Sequence, residues 1–390
     1  MINFHPEITR IEKTIINIRR DIHKHPELSF KEYRTADLIA KKLDSLNIKV
    51  TKGVGKTGVM GDLIGSDGPC IALRADMDAL PIQETGNLEY KSINDGVMHA
   101  CGHDGHIAML LGAAEVLSKM KNKLNGSVRF IFQPAEEGRG GARYMIKDGC
   151  LNNVDEIYGA HLWNYQEYGT IGVQSGPIMA AADMFKITIN GKGGHGAAPQ
   201  GCVDSIIVAS HLIQSLQTIV SRNTNPLDST VVSIGKIKGG HNFNIIADQV
   251  ILEGTTRSYT EKNRLLIKSR MKDIIIGTEK LFNAQINFDY EDGYPPTINN
   301  SKCTTNLLNT AKEIVNKGAG KPYLSMGGED FSYYGQKIPS CFFFVGSLPK
   351  HKKEMTVPHH CSHFDIDEKA LLIGSSVFVS LIESLLMKGK

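Results

Sequence analysis

Apolar residues near the start of the chain recur at Ile8, Ile11, Ile15, Ile18 and Ile22, in steps of 3, 4, 3 and 4. That spacing predicts one amphipathic helix with a single buried stripe. His25-Pro26 ends it, because the residue before proline disfavours the α region. A second helix is expected over 31–46. Residues 58–64 and 70–75 then read as strands, the latter (Cys-Ile-Ala-Leu-Arg-Ala) apolar enough for burial on both faces. A helix over 106–119 follows, with strands over 128–132 and 156–161. Strands alternating with helices predict an α/β layer structure.

The pattern changes near residue 183. Phe185, Ile187 and Ile189 alternate with Lys186, Thr188 and Asn190, as in a half-buried strand. A helix over 204–221, strands over 230–234 and 249–257, a helix over 261–282 and a strand over 286–290 complete the block. Their β-α-β-β-α-β order is that of a ferredoxin-like unit. The expected division is therefore a catalytic domain over 1–183, an inserted α+β domain over 184–294, and the first domain resuming over 295–390. A buried strand over 341–345 and a helix over 368–386 belong to the last part.

Composition adds little. The 390 residues are 41% hydrophobic and 22% charged, with a net charge of +3, which gives no reason to expect a nucleic-acid partner. No stretch approaches the roughly 18 apolar residues that span a bilayer, so no membrane partner is expected. The N-terminus lacks an apolar signal core, and the seven scattered cysteines do not suggest a disulfide framework. The chain reads as cytoplasmic.

Chemistry concentrates in a few segments. His99-Ala100-Cys101-Gly102-His103-Asp104-Gly105-His106 places three histidines, a cysteine and an aspartate within eight residues. Borderline metals such as zinc accept thiolate, imidazole and carboxylate together. Glu136 and Glu137 follow directly on the strand that ends at Phe132. Adjacent carboxylates there repel unless a cation or a proton intervenes. Neighbouring extended residues point in different directions, so one can bind metal while the other faces a reacting water. An exposed acidic turn explains the pair equally well, but the end of a buried strand is where α/β sheets place their sites. Asp76 and Asp78 follow another strand, His161 ends a third, and His359, His360, Cys361 and His363 cluster before the last helix. Neither a nucleophile-elbow serine nor a Walker A loop is present. Two readings of another class stay open: a cysteine-nucleophile amidase at Cys101, and a non-catalytic metal- or amino-acid-binding module.

In order along the chain, His23-Lys24-His25-Pro26-Glu27-Leu28, residues 74–81, 98–106, 133–138 and 191–199, Gly254-Thr255-Thr256-Arg257 and Gly328-Glu329-Asp330-Phe331 match the motifs of a known family. The chain resembles the amidohydrolase branch of the M20 metallopeptidases, which includes hippurate hydrolases, N-acyl-amino-acid amidohydrolases and plant auxin-conjugate hydrolases. The resemblance implies a zinc-peptidase-like catalytic domain, a mixed central sheet flanked by helices, with a ferredoxin-like lid inserted. It implies hydrolysis of a small-molecule N-acyl amino acid, and is compatible with a homo-oligomer formed through the lid. Two divalent metals are implied, zinc first, with manganese, cobalt or nickel as alternatives. Their implied ligands are Cys101, His103, Glu137, His161 and His360. His360 is chosen over His359 and His363 because it stands four residues before Phe364. Glu136 is implied as general base and acid, Asp78 as the supporting aspartate, and His195 as the lid donor to the substrate carbonyl. Arg257 and Asn244 are the candidates for binding a substrate carboxylate. Ser221-Arg222-Asn223 and residues 239–244 look close to hippurate hydrolases. The chain departs from many family peptidases in having Asp76-Met77-Asp78 in place of His-x-Asp, and Cys101 in place of a metal-bridging carboxylate. His359 and Ser362 replace the more usual leucine and proline.

Overall fold

The structure is a computed structural model that describes residues 2–350 and 357–387. It divides into two compact units. One comprises residues 1–178, 298–324 and 330–390, the other residues 179–297 and 325–329.

The first unit is built on an eight-stranded mixed sheet. Its centre is three parallel strands, with Cys70–Asp76 between Ser127–Gln133 and Glu156–Glu167. Ser340–Leu348 continues the parallel run on the far side of Glu156–Glu167. Gly58–Ile64 and Lys49–Val54 add antiparallel strands at one edge. Every residue of Cys70–Asp76 and of Ser340–Leu348 is buried, as expected of strands covered on both faces. Helix His103–Lys119 packs on Cys70–Asp76 and against the helices Glu12–Lys24 and Ala370–Leu386. Nearly all of its residues are buried, and its apolar side chains are spread around its circumference rather than on one stripe.

The sequence anticipated most of these elements. The predicted first helix is two, Pro6–Arg10 and Glu12–Lys24, because Ile11 leaves helical geometry (φ −107°, ψ 16°) and its N–H turns back to Ile8 O. The edge strand Lys49–Val54 was not anticipated. Only one of its six residues is buried, so it carries no apolar period. Helix Ser301–Val315, capped by the Asn300 side chain, was likewise not anticipated.

The second unit has a four-stranded antiparallel sheet. Ala181–Asn190 lies between Gln249–Ser258 and Gln285–Tyr294, and Thr230–Gly239 pairs on the outer side of Gln249–Ser258. Helices Ser205–Thr218 and Glu261–Phe282 complete the β-α-β-β-α-β order and pack on the sheet. Asp183 is a buried anchor: Arg264 grips both its carboxylate oxygens, and Tyr290 Oη and the Gly293 N–H also donate to it. Ser325–Glu329 joins this unit through Ala180 N to Gly327 O and Tyr259 Oη to Ser325 O. Among the described residues no helix is long and apolar enough to cross a membrane.

Candidate active site

Three central strands of the first unit bring the polar residues together. Asp76 pairs with Gln133 across two parallel strands, and Arg74 pairs with Gly159 on the other side. Asp76 and His161, two residues further on, therefore stand level, and Pro134-Ala135-Glu136-Glu137 leaves the neighbouring strand at the same height. Brackets of this kind, at the carboxyl ends of parallel strands, are where α/β sheets hold ligands.

The segment 99–106 separates into different jobs. Gly102, with φ 89°, takes the left-handed conformation that ends the approaching loop and starts the helix at His103. Cys101 and His103 join a common cluster, with ligand atoms of Cys101, His103 and His161 all within 4.8 Å of one another. His106 does not share in it. Its Nε2 accepts from the Leu162 N–H, so its Nδ1 donates to Asp76, 2.6 Å away, and both nitrogens are occupied. Asp104 holds Arg19 and His23 instead, each at 2.8 Å. His99 is buried with no hydrogen-bond partner at either nitrogen, and burial pushes its imidazole down to about 3.

Hydrogen bonds fix which nitrogen each clustered histidine offers. His103 Nδ1 donates to the Asp78 carbonyl at 2.8 Å, and His161 Nδ1 donates to the Leu162 carbonyl at 2.6 Å. Each therefore turns Nε2 to the cluster, as metal-bound histidines do when the other nitrogen is anchored. His161 Nε2 lies 3.5 Å from Cys101 Sγ. On the other side of the sulfur, Cys101, Glu137 and His360 form a second group within the same 4.8 Å limit. His360 Nε2 approaches Glu137 Oε1 to 3.1 Å. Its backbone is left-handed (φ 64°), anchored by its N–H to Ala100 O at 2.8 Å. Non-glycine residues in that region are uncommon and concentrate at functional sites.

Asp78 organises the carboxylate pair. One of its oxygens accepts from Glu136 N at 2.9 Å, and the other from Glu137 N at 3.1 Å and Ser29 Oγ at 2.7 Å. Burial raises Asp78, but His103, Ser29 and the Glu136 N–H outweigh it and hold the carboxyl below its ordinary range.

The electrostatics favour positive charge at this point. Burial opposes protonation of His103, yet Asp76, Asp78 and Glu137 lift it to about 10. Burial pushes the Cys101 thiol well up, and Glu137, Glu136 and Asp76 add to the effect. His161 and His359 are held well below the ordinary imidazole range, first by burial and then by neighbouring histidines. A thiolate–imidazolium pair of the kind a cysteine nucleophile requires is therefore disfavoured. His103 Nε2 is buried with no hydrogen-bond partner. A buried polar atom left so costs about 1–3 kcal/mol, which a coordinated cation offsets. Thiolate, imidazole and carboxylate around one point fit borderline divalent metals.

Two residues near the site were not singled out by the sequence. His359 was set aside in favour of its neighbour, and the structure holds it, partly buried, beside Cys101. Its Nε2 accepts from Asn164 N at 3.1 Å, and its Nδ1 lies 3.8 Å from Cys101 Sγ. Glu32 is fully buried and accepts from Ala135 N. A lone glutamate ahead of a helix carries no spacing signal.

In the second unit, His195 is exposed, and its Nδ1 accepts from Ala197 N at 3.0 Å, which leaves Nε2–H as a donor. Arg257 is partly buried, with Nη1 donating to Thr256 O, Asp183 O and Thr255 Oγ1. Burial lowers its guanidinium. Asn244 is exposed, and its carbonyl accepts from Gly196 N at 2.8 Å.

The support behind the site has a testable pH dependence. His23 lies between Asp104 Oδ2 at 2.8 Å and Glu84 Oε1 at 3.4 Å, with Arg19, the Tyr90 ring and the His99 ring around it. Burial and Arg19 oppose its charge, but Asp104 and Glu84 win, and its pKa lies above the ordinary 6.5. The folded state thus holds a proton that the unfolded chain releases. The contribution is complete below 6.5 and is lost as pH rises through the folded value, at no more than about 1.4 kcal/mol per pH unit. Urea unfolding from pH 6 to 9 is expected to show this fall in the wild type and a flatter profile in His23→Gln. Equal slopes would remove the assignment.

A mixed α/β sheet that gathers thiol, imidazole and carboxylate donors beside its central parallel strands defines a metallohydrolase of the amidohydrolase or peptidase kind. The chain belongs to peptidase family M20/M25/M40, whose sequence model matches residues 72–384. It is 43% identical to the N-acetyl-L-cysteine deacetylase of Bacillus subtilis (strain 168), over 94% of this chain and 87% of that protein. It is also 43% identical to thermostable carboxypeptidase 2 of Saccharolobus solfataricus, over 95% of this chain and 94% of that one. Among solved structures it is similar to the YXEP protein of Bacillus subtilis, described as a dinuclear metal-binding peptidase of the M20 family. The TM-score is 0.83 and the identity 37%, covering 97% of this chain and 98% of that one.

Proposed function

We propose that this protein hydrolyses the amide bond between an acyl group and the amino group of an amino acid, using two divalent metal ions. The observation that carries the proposal is the place of Cys101 Sγ. It belongs to one donor group with His103 and His161 and to another with Glu137 and His360. Cys101 is thus the donor common to the two groups, which together would hold two ions. The relatives support the bond type: one is named a deacetylase of N-acetyl-L-cysteine and the other a carboxypeptidase.

Cys101, His103, His161, Glu137 and His360 would hold the two ions. Bound there, divalent ions supply Lewis acidity to the substrate carbonyl and lower the pKa of water. Glu136, 7% exposed, takes the proton of the attacking water as the new C–O bond forms. It delivers that proton to the leaving nitrogen as the C–N bond breaks, so the acid and the free amino acid separate. Asp78 keeps Glu136 and Glu137 in their separate tasks by holding both backbone amides. His195, whose free Nε2–H is fixed by the bond at Nδ1, is assigned to the developing oxyanion. Arg257, whose Nη1 donates to carbonyl and hydroxyl oxygens, is assigned with Asn244 to the carboxylate of the substrate.

Hippurate-type and N-acetyl amino acids are the substrates to try first. A panel of both, assayed with zinc, manganese, cobalt or nickel restored to metal-stripped protein, tests the proposal. Amino-acid release from at least one class is expected, and none from any member would contradict it. Arg257→Ala is expected to raise KM for the free-acid substrate about 10–100-fold, the worth of a hydrogen-bonded charge. The corresponding carboxamide is expected to be indifferent to that change, and equal losses on both would remove Arg257 from the carboxylate.

A further inference from the structure

We infer that Glu32 is a positioning residue for the reaction, holding the peptide that aims Glu136. The inference rests on the assignment of Glu136 as the proton carrier.

The side chain of Glu32 comes from the loop before helix Tyr33–Ser45 and is entirely buried. Its Oε1 accepts two backbone N–H groups, from Phe30 at 3.0 Å and from Ala135 at 3.0 Å. Its Oε2 accepts from Thr57 Oγ1 at 2.5 Å. Both of the residues held by Oε1 are left-handed, Phe30 at φ 62° and Ala135 at φ 55°. Residues with a Cβ disfavour that conformation, so something must hold them in it. One carboxylate oxygen therefore pins two strained backbones, and the hydroxyl of Thr57 fixes the carboxylate itself.

Ala135 is the residue whose peptide leads into Glu136. Its carbonyl is also engaged, by Gly141 N at 3.0 Å. With Asp78 holding the next two amides, three consecutive N–H groups, from 135 to 137, are bound by buried carboxylates. Asp78 alone leaves the entrance to this segment unfixed. Were Ala135 to relax to the right-handed region, the following peptide would rotate and carry the Glu136 Cα–Cβ bond with it. Displacement of a reacting group by about 1 Å costs on the order of 10²-fold in rate.

The acceptor geometry, not the charge, does this job. Glutamine keeps the reach, its Oε1 accepting both amides and its Nε2 donating to the Thr57 hydroxyl. Aspartate keeps the charge and loses the reach. Glu32→Gln is therefore expected to hold kcat within about 3-fold of wild type, whereas Glu32→Asp loses roughly 30–100-fold in kcat. KM and metal content of the purified holoenzyme are expected to stay unchanged in both. A merely structural lesion would lower metal content or change KM together with kcat. If Glu32→Asp does not accumulate as folded protein, Thr57→Val removes only the hydroxyl that fixes the carboxylate, and is expected to show the same kcat-selective loss at about 3–10-fold. Unchanged kcat in the aspartate variant, or in the valine variant where that one is used, overturns the inference. So does a glutamine variant as impaired as the aspartate one. Glu136→Gln assayed in parallel separates the two levels. If it remains active, the assignment of Glu136 falls. If it is inactive while Glu32→Asp is normal, only the role of Glu32 falls.

Discussion

Glu136→Gln is expected to lose about four orders of magnitude in kcat while keeping its full complement of metal, the upper end of what general acid–base catalysis contributes. The change is isosteric, and the backbone amide that Asp78 holds at residue 136 is untouched. What disappears is the carboxylate proposed to take the proton from water and return it to nitrogen. Because both transfers pass through one group, neither the attack nor the departure of the amine is assisted. KM is expected to move little, since the loss is confined to the transition state. Steady-state kinetics on an N-acyl amino acid, with metal analysis of the same sample, checks this. Substantial turnover would assign the proton to another group. Loss of metal would instead make Glu136 a ligand.

The second large effect is expected at His103. His103→Ala removes the buried Nε2 that has no protein partner and is anchored from behind by the Asp78 carbonyl. Metal affinity is expected to fall by more than the roughly 10–100-fold typical of losing an outer-shell partner, with activity lost in parallel. Excess metal is expected to restore part of the activity, which it cannot do for Glu136→Gln. Isothermal titration of metal into the stripped variant measures the loss. Wild-type affinity would show that the Cys101–His103–His161 group is not the first site to fill. The pair of variants thus separates holding metal from moving protons between two residues of one cluster.

Much of this was legible in the sequence. The near-continuous apolar run at residues 70–75 and the clean alternation after Asp183 are period signals, and both mark strands in the structure. The segment that hides best is Lys49–Val54, an exposed edge strand whose residues need satisfy only hydrogen bonding, not burial. The short break at Ile11 is similar: an apolar stripe continues across it, so periodicity does not record it.

The site shows a sharper limit. Spacing marked 99–106 as a dense set of metal-capable groups, but it could not divide them. Only three dimensions show that His106 is spent between Asp76 and Leu162 and that Asp104 is spent on Arg19 and His23. The division between Glu136 and Glu137 came from the family resemblance. The structure shows the backbone amides of the two residues held by different oxygens of Asp78. His359 and Glu32 act through groups more than a hundred residues away in sequence or through backbone amides, and neither relation leaves a local pattern. The positive-φ backbone of His360 and Ala135 is equally silent in the sequence, since neither residue is glycine.

The central proposal is that amide hydrolysis depends on two divalent ions held by the cluster around Cys101. Its most direct test is a titration of metal-stripped protein with one divalent ion, following amino-acid release from an N-acyl amino acid at each addition. Activity is expected to be absent at the start and to reach its plateau only as the second equivalent per chain is bound. Full activity in the presence of chelator, abolished by thiol alkylation, would contradict the account and make Cys101 the nucleophile.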